Sequence, residues 1–251
     1  CAVVTPRTFT LRPIPILTYH QVAVAPSKGS AYRSLYVAPS DFLWQMRLLH
    51  WLGYRGLSMT ELEPYLVGER SGKVVGITFD DGYLNNLTHA LPVLRRFNFS
   101  STCYAVSQRL GATNIWDEPV GIVQTGLMTG ADLRRWIGGG QEVGAHTRHH
   151  VHLTEISAQD AQTEIALCKA ELEAVCGQPV SHFCYPYGEY APVHLDMVRA
   201  AGYRTATTTQ RSRCVPTEDL MALPRVPIVR STTVLAFVVK ILTAYEDKRR
   251  V

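Results

Sequence analysis

The chain has 251 residues, a formal net charge of +4 and 46% hydrophobic residues. That apolar content suffices for a sizeable core, and 18% charged residues argue against disorder. No Lys/Arg run long enough to follow a nucleic-acid backbone occurs, the nearest being "DKRRV" at the C-terminus, and no apolar run reaches the ~18 residues of a membrane span.

In chain order, "IPILTYH" (14–20) is an apolar run that ends in polar residues. "SDFLWQMRLLHWLGY" (40–54) has helical periodicity, with Ser40 or Asp41 as cap and Gly53 as stop. "KVVGITFDDG" (73–82) reads as a strand that enters a turn, and "LTHALPVLRRFN" (87–98) as a helix with a proline near its start. "SSTCYAVS" (100–107) is a strand, "TGADLRRWIGGG" (129–140) a helix and "QEVGAHT" (141–147) a strand. "SAQDAQTEIALCKAELEAVCG" (157–177) is the longest helix, capped by Ser157 and stopped by Gly177. "VSHFCYPYG" (180–188), "YRTATTT" (203–209) and "LPRVPIV" (223–229) are further strands, with a helix at 192–202. "TTVLAFVVKILTAY" (232–245) reads as a buried or docking helix against a barrel wall, interrupted by Lys240.

This β/α alternation predicts a mostly parallel sheet. Polar residues cluster where strands end: His20, Asp80 and Asp81, His146 and Thr147, and Tyr185 to Gly188. Active sites of parallel barrels form at those ends, so a barrel mouth is the natural reading. We therefore expect an α/β fold, one domain over residues 1–251 with its core at about 13–240.

Six cysteines show no C-x-x-C spacing, which excludes the usual zinc-thiolate motif. Cys103 and Cys184 sit in strand-like runs as buried thiols, and Cys168 and Cys176 lie too far apart on one helix to bridge. The scattered cysteines and the lack of a signal peptide lean towards the cytoplasm, with an extracytoplasmic setting if a leader was removed. Cys1 reads either as a processed lipoprotein terminus or as an arbitrary boundary of the chain.

Two adjacent aspartates at a strand end point in different directions. One can bind a metal while the other stays free as a base; the alternative is a plain Asp-Asp-Gly turn. "GAHTRHHVHL" carries histidines at 146, 149, 150 and 152. His146 and His150 are four apart, and a helical turn after the strand would put both on one ion. His149 and His152 then point to solvent or the rim. Two imidazoles and one carboxylate leave positions open, as catalytic sites do. That ligand set suits zinc, with cobalt, nickel, iron or manganese as alternatives.

"TFDDG" followed by "HTRHHVHL" resembles the first two motifs of the NodB-type polysaccharide deacetylases, carbohydrate esterase family four. "PILTYHQV", "WDEPVG", "LMTGADLRRW", "FCYPYGEY", "AGYRTATTT" and "LPRVPI" fall in the order expected of that family. The resemblance implies a distorted (β/α) barrel of about seven strands. It implies Asp81, His146 and His150 as metal ligands, Asp80 as general base and Thr147 as a hydrogen-bonding support. "YPYG" resembles the third motif, which lines the substrate groove and offers the Tyr187 N–H to an oxyanion. The implied reaction is hydrolysis of acetyl groups from N-acetylated amino sugars of a glycan. A divalent ion lowers the pKa of water towards ~7, and Asp80 takes the proton as that water attacks.

The chain departs from the family where "HFCYPYG" lacks an arginine and "LPRVPIVR" lacks the late histidine. His20 is the substitute candidate for the proton donor, with substrate binding or packing as its alternative, and His194 reads as structural. Arg225 is the candidate to replace electrostatically the missing arginine, which in the family orients the base, and with Thr147 it is counted among the substrate-site residues. These departures resemble the poly-N-acetylglucosamine branch. Trp116, Asp117, Tyr185, Pro186 and Tyr187 are expected to line the groove, with Trp116 as a sugar-stacking wall or as loop packing. Rival readings are an O-acetyl esterase, a sugar deformylase, or a catalytically weak carbohydrate-binding domain.

Overall fold

The structure is a computed structural model and describes residues 12–250, so Cys1 lies outside the described residues. Its strands are β1 (Ile16–Tyr19), β2 (Gln21–Val22), β3 (Tyr36–Val37), β4 (Arg55–Leu57), β5 (Val74–Phe79), β6 (Thr102–Ala105), β7 (Glu142–Ala145), β8 (His182–Cys184), β9 (Thr205–Arg211) and β10 (Leu223–Pro227). Its helices are α1 (Pro39–Trp51), α2 (Met59–Leu66), α3 (Leu91–Arg96), α4 (Gly130–Gly138), α5 (Ala158–Cys176), α6 (Pro192–Ala200) and α7 (Val234–Leu242).

Seven parallel strands close a ring in the order β1, β10, β9, β8, β7, β6, β5, with β5 returning to β1. Thr18 of β1 pairs with Thr78 of β5 on one side and with Pro227 of β10 on the other. β4 pairs with the start of β5, and Ser100 donates to the Gly56 carbonyl, so β4 fills the lower end of the β5–β6 seam. This is the expected distorted (β/α) barrel.

Alternation along each strand sorts the side chains. Leu17, Tyr19, Ile77, Phe79, Val143 and Phe183 point outward into the layer beneath the helices. Tyr19, Phe42 and Phe79 meet there with ring centroids 5.2–5.8 Å apart. Ile16, Tyr104, Cys184 and Leu223 belong to a second cluster inside the ring and at its base. Close packing inside requires small neighbours: a Cβ on Gly144 would stand 2.4 Å from the Tyr104 ring. The same parity, carried past each strand, brings His20, Asp80 and His146 to the inner side of the mouth.

Helix boundaries follow local chemistry. Ser157 caps α5 by accepting from Asp160 N–H at 3.1 Å, and Gly177 ends it at φ 69°, as the sequence predicts. α1 starts one residue early, at Pro39, and neither Ser40 nor Asp41 caps it. Proline suits the first helical position because its missing N–H would be unbonded there. The expected helix at 87–98 is α3 preceded by a wider turn at Asn86–Ala90. Pro92 cannot donate to the preceding turn, and the ladder loosens ahead of it. β2, β3, β4 and α2 were not anticipated. α7 docks as expected, with Phe237 edge-on to Trp44 at 5.5 Å, and Lys240 is buried in an ion pair with Glu246. Among the described residues no helix is long and apolar enough to cross a membrane.

Candidate active site

Asp80 keeps the register of β5, since its N–H donates to the Tyr19 carbonyl at 2.9 Å. Its side chain therefore stays inside. At Asp81 the backbone turns to φ 72°, which takes this side chain out of the strand alternation, and Gly82 follows at φ 81°. The two carboxylates part as expected: Asp80 faces Arg225 and His20, while Asp81 faces His146 and His150.

His146 continues β7 by donating its N–H to the Ala105 carbonyl at 3.0 Å. Its Nδ1 lies 2.7 Å from the Cys184 carbonyl, which can only accept, so the proton sits on Nδ1 and the Nε2 lone pair faces the mouth. The next four residues are not helical. Thr147 and His150 adopt φ 62° and 60°, and this left-handed loop, rather than a helical turn, brings the two imidazoles together. The Thr147 hydroxyl donates to the His146 carbonyl at 2.6 Å and accepts from His150 N–H at 3.0 Å. Glu164 of α5 accepts from the N–H groups of Arg148 and His149 at 2.9 and 3.0 Å. Six non-glycine residues have positive φ among those described, and Asp81, Thr147, His150 and Tyr187 are four of them. Strain concentrated in this way marks a site the fold holds under constraint.

Asp81 Oδ1 stands 3.4 Å from His146 Nε2 and 3.3 Å from His150 Nε2, and all three residues are buried. These separations are long for hydrogen bonds. They match the edge of a tetrahedron whose bonds are about 2.05 Å, roughly 3.3 Å. The donor set therefore fits a zinc-type ion, with the remaining positions towards the mouth. Burial pushes the Asp81 carboxyl up, but its close contacts with the His146 and His150 rings hold it well below the ordinary value. Burial lowers His150 and outweighs its Asp81 contact. His146 goes the other way: burial is overcome by the Cys184 side chain, Asp81 and Asp80.

Arg225 rises from β10 inside the ring and is 2% exposed. Its Nη1 and Nη2 donate to the two Asp80 oxygens at 2.7 and 2.8 Å, and Nη1 also reaches Thr78 at 3.1 Å. Its Nε donates to the Thr208 carbonyl at 2.8 Å, and Nη2 lies 3.2 Å from Cys184 Sγ. Burial pushes the Asp80 carboxyl up, and the Arg225 charge and hydrogen bonds reverse this, leaving it below the ordinary value. His20 Nε2 lies 3.9 Å from Asp80 Oδ2 with 26% of its side chain exposed. Asn86, which the sequence reading missed, fixes this end of β1 by donating to the His20 carbonyl at 2.8 Å.

The expected groove residues separate. Tyr187 is 38% exposed and its ring meets His150 edge-on at 4.6 Å. Trp116 stacks on His150 at 4.4 Å, so it walls the site by packing on that imidazole. Asp117 is held by Asn114 Nδ2 at 2.8 Å; burial pushes its carboxyl up, and nearby Asp81 adds to this against the Asn114 bond. Tyr185 and Pro186 are corrections, being buried and set back from the groove; Thr147 and Arg225 are buried too and would meet substrate only through the residues they hold, His146, His150 and Asp80. Tyr185 spends its hydroxyl on the Met221 carbonyl at 3.0 Å. His149 turns to Glu164 at 2.6 Å, away from the ion site. His152 is bonded to Glu189 at 2.9 Å and stacks on Tyr187 at 3.7 Å, so it supports the rim instead of standing idle. His194 accepts from Ala191 N–H at 2.9 Å at the start of α6, a structural role as expected.

Residues 67–206 match the family model described as polysaccharide deacetylase. The chain is 28% identical over 217 residues to the polysaccharide deacetylase homologue YxkH of Bacillus subtilis, spanning 86% of this chain and 71% of that one. The crystal structure of the polysaccharide deacetylase homologue BA0330 from Bacillus anthracis superposes with a TM-score of 0.78 at 26% identity, covering 92% of this chain and 69% of that chain. The Streptococcus pyogenes deacetylase PplD shares the fold, with a TM-score of 0.80 at 24% identity over 92% of this chain and 99% of that one. A closed parallel barrel, two motifs meeting at its mouth and a family match over more than half the sequence agree: the chain belongs to the polysaccharide deacetylase family.

Proposed function

We propose that the protein is a metal-dependent hydrolase that removes acetyl groups from N-acetylglucosamine-type residues of a polysaccharide, within one domain with its core at about 13–240. The observation that carries this is the Asp81, His146 and His150 donor triangle with Asp80 ionised beside it. The missing motif arginine and late histidine favour a poly-N-acetylglucosamine-like exopolysaccharide as substrate.

Asp81, His146 and His150 would hold a divalent ion, zinc first among the candidates, which would polarise the acetyl carbonyl and lower the pKa of water. Asp80 takes the proton from the attacking water, and Arg225 keeps its carboxylate aimed and charged. The Tyr187 N–H donates to the acyl oxygen as that oxygen gains charge. The C–N bond breaks as the nitrogen takes a proton, and His20 is the donor proposed for it. Acetate and a free amine result. Trp116 and Tyr187 flank His150 and give the sugar an aromatic rim.

Acetate release from N-acetylglucosamine oligomers tests this, with zinc or cobalt added to wild type, Asp80→Asn and His146→Ala. Asp80→Asn should lose about 10²–10⁴-fold in kcat while elemental analysis shows the metal retained. His146→Ala should lose the metal. Equal activity of all three proteins sinks the assignment. His20 is tested by leaving group. His20→Ala should slow the amide about 100-fold or more yet spare 4-nitrophenyl acetate, whose leaving group needs no proton. An equal loss on both makes His20 a binding or packing residue. The missing late histidine also favours a second reading, an O-acetyl esterase, because an alcohol leaves more readily than an amine. Faster acetate release from O-acetylated xylo-oligomers would select it.

A further inference from the structure

On the far side of the Tyr187 loop lies a cavity of about 350 Å³, lined by Gly188, Tyr190, Thr208, Thr209, Gln210, Arg211 and Arg249. It adjoins the candidate active site through two shared elements. Thr209 Oγ1 donates to the Tyr187 carbonyl at 3.2 Å, and the Thr208 carbonyl on the cavity wall is held by the same Arg225 that grips Asp80.

The cavity wall carries two guanidinium groups and no carboxylate. The acids nearby are already matched. Arg211 pairs with buried Glu246 at 2.7 Å, and Glu246 also pairs with Lys240. Asp247 is taken by Arg213 at 2.7 Å, and Glu218 by Arg250. Arg211 and Lys240 therefore share one carboxylate. Burial and the Arg211 and Arg249 charges lower the Lys240 pKa despite its Glu246 partner. Arg249 has no carboxylate within 4 Å among the described residues; its guanidinium lies 4.1 Å over the Tyr245 ring, which orients it and leaves its N–H donors for a ligand.

We propose that this cavity is a subsite for a negatively charged substituent, a carboxylate or a phosphate ester, on the glycan unit next to the one being deacetylated, with Arg249 as its principal contact. Thr209, Gln210 and Tyr190 add the hydroxyl, amide and ring that sugar hydroxyls and faces require. The inference rests on the deacetylase reading for the identity of the neighbouring unit.

Calorimetric binding tests it without turnover. The ligands are a neutral N-acetylglucosamine tetramer, a tetrasaccharide alternating N-acetylglucosamine with glucuronate, and a phosphodiester-linked N-acetylglucosamine dimer. At low salt the wild type should bind at least one charged ligand about 10-fold more tightly than the neutral one, the gain expected of charge-assisted hydrogen bonds. Arg249→Ala should erase that preference, and Arg249→Lys should restore part of it. The ligand with the larger preference identifies the source of the charge. Equal affinities in the wild type, a preference that survives Arg249→Ala, or no binding of either charged ligand overturns the subsite. Arg249-dependent binding with no acetate released from any ligand leaves the subsite standing and removes the deacetylase reading instead.

Discussion

Arg225 brings a full charge into the barrel, and Asp80 is what makes it tolerable there. Removing one partner of such a pair strands the other. Arg225→Met should therefore lower stability by about 3–5 kcal/mol, read from urea unfolding. The double variant Asp80→Asn, Arg225→Met should recover part of that loss, since neither charge then remains buried alone. The pair also sets a pH dependence. The Asp80 carboxyl is depressed in the folded protein, so its contribution is full above the unfolded value of about 3.9 and drains as pH falls through the lower folded value. Arg225→Met should move that acid limb to higher pH, as followed by unfolding midpoints between about pH 6 and 2. The sequence offers Arg225 as an electrostatic replacement for the missing arginine, but not its two-pronged grip on Asp80. "LPRVPI" shows an arginine at a strand, but its partner lies 145 positions away and only ring closure introduces them. Asp81, His146 and His150 are legible because their types already state a ligand chemistry.

At the scale of elements, strand parity explains why residues from β1, β5, β7 and β10 meet at one mouth. The sequence conveys this wherever a strand is long enough to show its alternation. It hides β4 and α2, because three strand residues and eight helical ones in "RGLSMTELEPYL" carry too little pattern to stand apart. It also hides the turns. The four-residue histidine spacing suggests a helix, yet Thr147 and His150 reach convergence through left-handed backbone held by Glu164 and the Thr147 hydroxyl. The third motif depends on a similar device. Gly188 has φ +74°, and a Cβ there would fall 2.0 Å from Thr209 Oγ1 and 2.6 Å from Thr209 N. Gly188→Ala should push the Tyr187 loop off β9, costing about 1–3 kcal/mol and lowering kcat more than a surface change. Unchanged unfolding and kcat would show that the seam yields more easily than its contacts imply.

For the whole molecule the decisive contact is the closing one, β10 onto β1. The stretch 67–206 that matches the family contains β5 to β8 and only the first two residues of β9. Expressed alone, it should show no cooperative thermal transition, whereas residues 12–250 should melt in one. A sharp transition from the shorter piece would mean that the ring is not needed for folding. Closure also divides the labour unevenly along the chain. The side chains proposed to hold the ion, Asp81, His146 and His150, all lie in the central stretch, while Arg225 and His20, proposed to tune Asp80 and to deliver a proton, come from the flanks. In a chimera that exchanges only the middle between two relatives, metal affinity should travel with the insert and the pH profile should stay with the host.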